Sequence, residues 1–412
     1  MSTITRSGIA VCALLSTTGL AAAECGIESG SVRILSNDFA ALHAVADAAQ
    51  TCASDTVEVT ANQTEEHKNI QVPALSIDPA TYTVAVIATN SIVPLLNDDL
   101  IRPLDDLVAE HGQQLTEQQL IRVGDNIMAI AFMANAQHLF YREDVLEEHG
   151  IAVPTSYEEV FAAAETLREA GAMEAPLAAS YKPGWDLGAE FVNTYLGTGN
   201  DFFAPGSAEL AIDNEDGLRT LETMKQMVDY MDADWATYDS NGQKPVWDAG
   251  DVALAIQWGS RAGAYIADDS PAPEIADATA FAASPTIAGN SIPAVAMWWD
   301  GFTIAKNISD EDAEASFIAM MEGISPEMMQ ENADAAVWLI DGYEPTPASE
   351  GVIADLQGGA RSFPMLPYMG LLHTALGDNL TEYLQGNESA EQALADVTAA
   401  YTTAAREAGF LN

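Results

Sequence analysis

The residues able to do chemistry in this chain are aromatics, amides and carboxylates that fall where short apolar runs end. Asn37-Asp38-Phe39 follows the run Val32–Ser36, Asn62-Gln63 follows Val57–Thr60, and Thr89-Asn90 follows Val84–Ala88. Further along come Trp185-Asp186, Trp258-Gly259, Trp298-Trp299-Asp300-Gly301 and Pro367-Tyr368. Flat aromatic faces cover the C–H faces of a sugar, while Asp, Asn and Arg hydrogen-bond its hydroxyls. A single Trp is more often core than ligand platform. Repeated placement at run ends points to a binding cleft, because ligands of open α/β sheets sit beyond the carboxyl ends of the strands. The same aromatic and acidic set also suits a quaternary ammonium.

Other chemistries lack their motifs. The six histidines are dispersed, with no His-x-x-x-His or Cys-rich arrangement, so no metal site is implied. Asp213-Asn214-Glu215-Asp216-Gly217 lacks the alternating spacing and following Glu of a calcium loop and reads as a helix cap. No Walker loop, dinucleotide fingerprint or nucleophile elbow is found, so neither a cofactor nor a catalytic residue is expected. Among 62 acids some carboxylate pairs must lie close by chance, so a secreted carbohydrate-active enzyme stands only as the alternative of a different class.

Short apolar runs alternate with longer amphipathic ones, the pattern of an α/β protein. Val84–Ala88 is continuously apolar, as in a parallel strand covered on both faces. Thr64–Gln71 reads as a helix stopped by Pro73, and Asn126–Phe132, Leu139–Tyr141, Leu210–Ile212 and Val252–Gln257 read as strands. Ser291–Ala305 reads as a strand pair, with long helices over Tyr368–Leu384 and Ala390–Ala408. A strand of about 5 residues and a returning helix of about 12 nearly match in length. Cys52 therefore comes back near Cys25, and a structural disulfide is expected between them.

The first twenty-three residues carry Arg6, a short apolar core from Ile9 to Leu15 and the small-residue run Ala21-Ala22-Ala23, the layout of an export signal cleaved near Ala23. Glu24 before Cys25 does not fit a lipid-attachment site. No later apolar stretch reaches spanning length, so stable membrane insertion is not expected. The net charge of −47 repels nucleic acid and anionic membranes. Because the acids are spread along the chain, they read as a solvated surface rather than a lure for a cationic ligand.

Four segments carry a resemblance to the extracellular solute-binding proteins of family 1, the group that includes maltose-binding protein. The first runs from Asn135 through Tyr141-Arg142-Glu143-Asp144 to Ile151 and on to Pro154-Thr155-Ser156-Tyr157. The second is Trp247-Asp248-Ala249-Gly250-Asp251-Val252-Ala253-Leu254 with Trp258-Gly259, and the third is Asp300-Gly301-Phe302-Thr303-Ile304-Ala305 followed by Glu314–Met321. The fourth links Phe363-Pro364 and Pro367-Tyr368 to Gly386-Asn387-Glu388-Ser389-Ala390-Glu391. Arg142 and Asp251 depart from the family's habitual residues.

The resemblance implies an α/β protein of two doubly wound lobes joined by a multi-crossing hinge, the type II periplasmic binding fold. The expected partition is residues 24–128 with 299–340 in one lobe and 129–298 with 341–412 in the other. It further implies a periplasmic, monomeric receptor for a sugar or polyol that serves the membrane subunits of an ABC importer. A non-carbohydrate solute such as a quaternary-ammonium osmolyte is the alternative. By family position Trp258, Trp299 and Tyr368 are the expected aromatic platforms, joined by Trp185. Asp38, Asn90, Asp186 and Asp300 are the expected polar contacts, with Arg361 beside them.

Overall fold

The computed structural model describes residues 25–412, so the expected export signal, residues 1–23, lies outside the described residues. Twelve strands follow one another among the described residues. They are β1 (Gly30–Ser36), β2 (Val57–Gln63), β3 (Val84–Ala88), β4 (Leu120–Val123), β5 (Asn126–Asn135) and β6 (Gln137–Arg142), then β7 (Leu177–Ala178), β8 (Leu254–Trp258), β9 (Thr279–Ala282), β10 (Ala296–Ile304), β11 (Val337–Trp338) and β12 (Arg361–Ser362). They form two sheets, one in each lobe.

The first sheet has the order β11-β5-β10-β3-β1-β2, with β4 on β5 and β12 on β10. β1 runs parallel to β2 and β3, and β10 runs antiparallel to β3 and β5. Strand β3 shows why this sheet needs cover on both sides. Val84 and Val86 enter one apolar cluster, while Ala85 and Ile87 enter the cluster on the opposite face. The second sheet has the order β7-β8-β6-β9. Its largest apolar cluster lies under the helices Tyr157–Glu169, Trp185–Leu196, Glu215–Asp229, Met369–Asn379 and Ala390–Glu407.

The chain leaves the first sheet at Ala136, between β5 and β6, and returns to it with β10. Cys25 and Cys52 are disulfide-bonded with their Cα atoms 5.4 Å apart, tying the start of the first lobe to the end of its first helix, Ala40–Gln50. Asn214 caps the helix Glu215–Asp229, its Oδ1 accepting from the N–H groups of Asp216 and Gly217 at 2.8 and 2.9 Å.

Four local expectations differ from the structure. The long helix expected over Tyr368–Leu384 breaks at Leu380 into Met369–Asn379 and Thr381–Leu384. Leu210–Ile212 forms no strand and contributes one isolated bridge, Phe203 to Leu210. Ser291–Ala305 yields the single long strand β10, because its first residues are spent in a turn whose Thr286 bridges Pro293. Pro73 lies inside the helix His67–Leu75 rather than beyond its end. A proline removes only one N–H donor there, and the next turn still closes through Ser76 N–H to the Val72 carbonyl at 3.0 Å.

Candidate functional site

A cleft between the lobes encloses a cavity of about 220 Å³. That is space for on the order of ten water molecules. The carboxyl ends of the three parallel strands of the first sheet open into it. β1 leads to Asn37 and Phe39, β2 to Glu65, His67 and Lys68, and β3 to Asn90 and Ser91. The opposite wall comes from the second lobe. Trp185 and Asp186 begin the helix Trp185–Leu196, Trp258 ends β8, and Ser260 and Arg261 follow it. Trp298 and Asp300 reach the cleft from β10.

Local chemistry fixes these positions. Gly184 precedes the Trp185 helix at φ +98°, a backbone region that side-chain-bearing residues avoid. Its N–H donates to the Gly377 carbonyl at 3.1 Å, and a Cβ on Gly377 would lie 2.1 Å from the Gly184 carbonyl oxygen. Two glycines therefore seat the start of the Trp185 helix directly on another backbone. Behind Trp185, the buried His373 Nε2–H donates to the Trp185 carbonyl at 2.8 Å. Burial lowers the His373 pKa to about 4, which keeps the ring neutral. Asp300 sits at a register shift between β10 and β5, where Gly301 is required because a Cβ would lie 2.4 Å from the Ile130 carbonyl oxygen. Asn135 and Ser260 exchange two hydrogen bonds of 3.2 Å, holding the turn that presents Arg261.

Trp185, Trp258 and Trp298 pack on one another with ring centroids 5.8 to 6.1 Å apart, forming a continuous wall. The indole N–H groups of Trp185 and Trp298 are buried without an acceptor among the described residues. Around this wall the charged groups divide into two sets. At the rim, Asp239 pairs with Lys182 at 3.0 Å, Glu66 accepts from Asn69 at 2.6 Å, and Glu65 accepts from Asn241 across the cleft.

Further in lie two cations, Lys68 and Arg261, and two carboxylates, Asp186 and Asp300. Among the described residues none of these four takes part in an ion pair within 4.0 Å. Burial raises Asp300 to about 7 against the opposing pull of Arg261. It raises Asp186 to about 6, with Lys68 opposing and Asp239 reinforcing. Burial likewise lowers the pKa of Lys68 and of Arg261. The Arg261 guanidinium lies 4.7 Å from the Phe39 ring centroid, with its Nε and Nη1 buried and without acceptors among the described residues. Such a surface offers unpaired donors and acceptors in equal charge balance, which hydroxyl groups can satisfy in both directions.

Of the residues expected at a site, the structure brings Asn90, Trp185, Asp186, Trp258 and Asp300 together on the cleft wall. Four others lie elsewhere. Asp38 is exposed and engages His43 Nε2 at 2.7 Å, so that Asn37 and Phe39 on either side of it line the cavity instead. Trp299 packs into the outer cluster of the first lobe, because alternate strand residues face opposite ways and its neighbour Trp298 takes the cleft. Arg361 is held at the surface by Asp201 and the Asn200 carbonyl. Tyr368 donates to the Ser207 carbonyl at 2.9 Å and packs against Phe203 and Phe410. Lys68, Arg261 and Trp298 are the main wall residues not selected from sequence. Of these, only Trp298 fell within a segment singled out from sequence, the Trp298-Trp299 doublet.

The family of bacterial extracellular solute-binding proteins matches residues 36–324, well over half the chain, and the protein belongs to that family. No curated protein sequence matches it. Among solved structures, the maltose-bound MalE3 of T. maritima superposes with a TM-score of 0.78 at 16% identity, covering 91% of this chain and 100% of that one. A solute-binding protein of Agrobacterium radiobacter K84 in complex with ribitol gives 0.75 at 17% identity, covering 90% and 98%. One of Agrobacterium vitis S4 with bound D-mannitol gives 0.74 at 17% identity, covering 93% and 100%. These likenesses establish the two-lobed type II binding fold. The family and its neighbours are solute-binding proteins, and a small molecule in the cleft is the role they share. No helix among the described residues is long and apolar enough to cross a membrane.

Proposed function

We propose that the protein is the periplasmic receptor of an ABC importer and encloses one molecule of an uncharged sugar or polyol between its lobes. The observation that carries this is the tryptophan wall of Trp185, Trp258 and Trp298 beside two cations and two carboxylates that form no ion pair within 4.0 Å among the described residues. C–H faces of a polyol pack on the indoles, and its hydroxyls donate to Asp186 and Asp300 while accepting from Arg261 and the free indole N–H groups. The small cavity suits one ring or one short chain. Closure excludes water and strengthens each of these polar contacts. The closed surface is then what the membrane subunits recognise, with the receptor acting as a monomer and making or breaking no bond. The solved neighbours that carry ribitol and D-mannitol support a ligand of this kind.

A quaternary-ammonium solute fits less well. The three indoles touch one another and form a wall rather than an open cage, and one face of Trp185 is already covered by the Lys68 ammonium at 4.3 Å. The test is a thermal-shift screen of the mature chain against monosaccharides, alditols and betaine-like compounds. A ligand that binds only the native state raises the melting temperature. Neutral polyols are expected to do so. A shift with betaine-like compounds alone would assign the other solute class, and conversion of any hit to a product would make the protein an enzyme.

A further inference from the structure

Lys68 and Trp185 come from opposite walls of the cleft. Lys68 lies in the helix His67–Leu75 of the first lobe, between β2 and β3, and Trp185 opens the helix Trp185–Leu196 of the second. The lysine Nζ stands 4.3 Å above the centroid of the Trp185 ring, the distance at which an ammonium is held by the indole face. Asp186, the next residue of that helix, is the opposite charge acting most strongly on Lys68, ahead of Glu66 and Glu65 of its own lobe. The Asp186 carboxylate has no hydrogen-bonding protein partner among the described residues, although it lies well inside the cleft. An indole face beside a free carboxylate is the arrangement that binds an ammonium ion from solution. Here the ammonium is supplied by the protein.

We propose that Trp185 and Asp186 form an ammonium subsite whose occupant is Lys68 of the opposite lobe, so that Lys68 is a latch that holds the two walls of the cleft together. The other contacts across the rim differ in kind. Glu65 with Asn241 is a hydrogen bond at an exposed edge, and Arg261 over Phe39 stacks on a residue of the first lobe. Among the described residues Lys68 is the one cation seated over a ring of the tryptophan wall. Its placement has two consequences. The latch is part of the binding surface, so a solute that packs on Trp258 and Trp298 finds the cleft narrowed at Trp185. A free cationic solute must displace a tethered ammonium to enter, which selects against cations despite the acidic surface of the protein.

The proposal presumes a solute cleft but not the identity of the solute, and its test uses a different probe. In Lys68→Ala the subsite is emptied, and n-butylammonium chloride, which matches the removed side chain, should refill it. The readouts are tryptophan emission and melting temperature. The variant should respond saturably to butylammonium, and the wild type should respond at least roughly tenfold more weakly. 1-Butanol, equal in length but uncharged, should give no comparable response. Lys68→Arg, which keeps a cation, should behave as wild type, and adding Asp186→Asn to Lys68→Ala should abolish the rescue. Equal responses of wild type and Lys68→Ala, or equal rescue by butanol, would overturn the proposal. If Lys68→Ala is too unstable to titrate, Lys68→Met keeps the apolar stem and serves in its place. Failure of the polyol screen with a positive rescue would remove the sugar reading and leave the latch standing.

Discussion

Trp298 and Trp299 are consecutive residues of β10 whose rings serve different lobes. Trp298 packs against Trp185, Trp258 and Phe363 in the cleft wall, whereas Trp299 packs with the outer cluster of the first lobe that holds Leu75 and Leu95. The two-residue period of a strand separates them, and β10 itself passes from the second lobe's cluster, which takes Ala296 and Trp298, to the first lobe's, which takes Phe302 and Ile304. Substitutions at these neighbours should therefore separate affinity from stability. Trp298→Leu removes an indole face and a free N–H donor, and should weaken solute binding by at least roughly tenfold. Trp299→Leu should leave the dissociation constant within about twofold while costing about 1–3 kcal/mol of stability. Calorimetric titration and urea unfolding of both variants measure the two effects.

Asp300 gives solute binding a pH dependence. Its carboxyl is held at about 7 by burial, and a solute hydroxyl donates better to the carboxylate than to the neutral acid. Affinity should then rise as pH increases from about 6 to about 8 and level off above. Asp300→Asn should flatten that profile and lower the affinity at pH 8. Titrations at four pH values across this window on both proteins check the slope.

Stability should fall over part of the same range, for a different reason. Glu190 is 2% exposed, accepts from Gln137 at 2.9 Å, and is raised by burial to about 8. Burial raises Asp355 to about 8 as well. A carboxyl whose folded pKa lies above its unfolded value keeps the folded state more protonated, so stability is greatest at low pH and is lost as pH rises toward the folded pKa. Between pH 4 and 6.5 the half-buried His67 and the buried His138 and His373, each lowered to about 4 chiefly by desolvation, act in the opposite sense. Above 6.5 only the carboxyls remain, and the melting temperature should fall from pH 6.5 to 8.5. Glu190→Gln keeps the shape, removes the ionisation, and should recover on the order of 4 kcal/mol at pH 8. A variant whose melting curve tracks the wild type at every pH would exclude Glu190 as the source.

The Cys25–Cys52 bridge closes a loop with a sequence separation of 27. Loop-closure entropy then assigns it about 3.5 kcal/mol of stability in the first lobe. Reduction, or Cys25→Ala with Cys52→Ala, should lower the melting temperature by several degrees and leave the affinity of the folded protein unchanged, since neither cysteine lines the cleft. Thermal scans with and without reductant, paired with a titration, test both halves.

Much of the fold was legible because its signals are local. Val84–Ala88 reads as a doubly covered strand from its unbroken apolar run, and the helices starting at Tyr157 and Glu215 announce themselves by their caps. The cleft was legible only where a side chain sits directly on a strand end or opens a helix, as Asn90, Trp185, Asp186 and Trp258 do. Asp300 against Asp38, and Trp298 against Trp299, turn on a one-residue difference in direction that register and bulges decide. Lys68 and Arg261 sit one step further along, where nothing local distinguishes a charge facing a cleft from one facing solvent. Arg361 and Tyr368 were beyond reach for another reason. Their partners Asp201 and Ser207 lie about 160 residues earlier in the chain, and only tertiary packing brings them together.

The most direct test of solute capture is calorimetric titration of the strongest neutral polyol or monosaccharide from the thermal screen against wild type and Trp258→Ala in parallel. The expected result is one site per chain with micromolar or tighter affinity, a negative heat-capacity change, and binding weakened by at least roughly tenfold in a variant that still folds. Unchanged affinity in folded Trp258→Ala, or heat only with betaine-like compounds and none with any polyol or sugar, would contradict an uncharged polyhydroxylated solute held against the tryptophan wall.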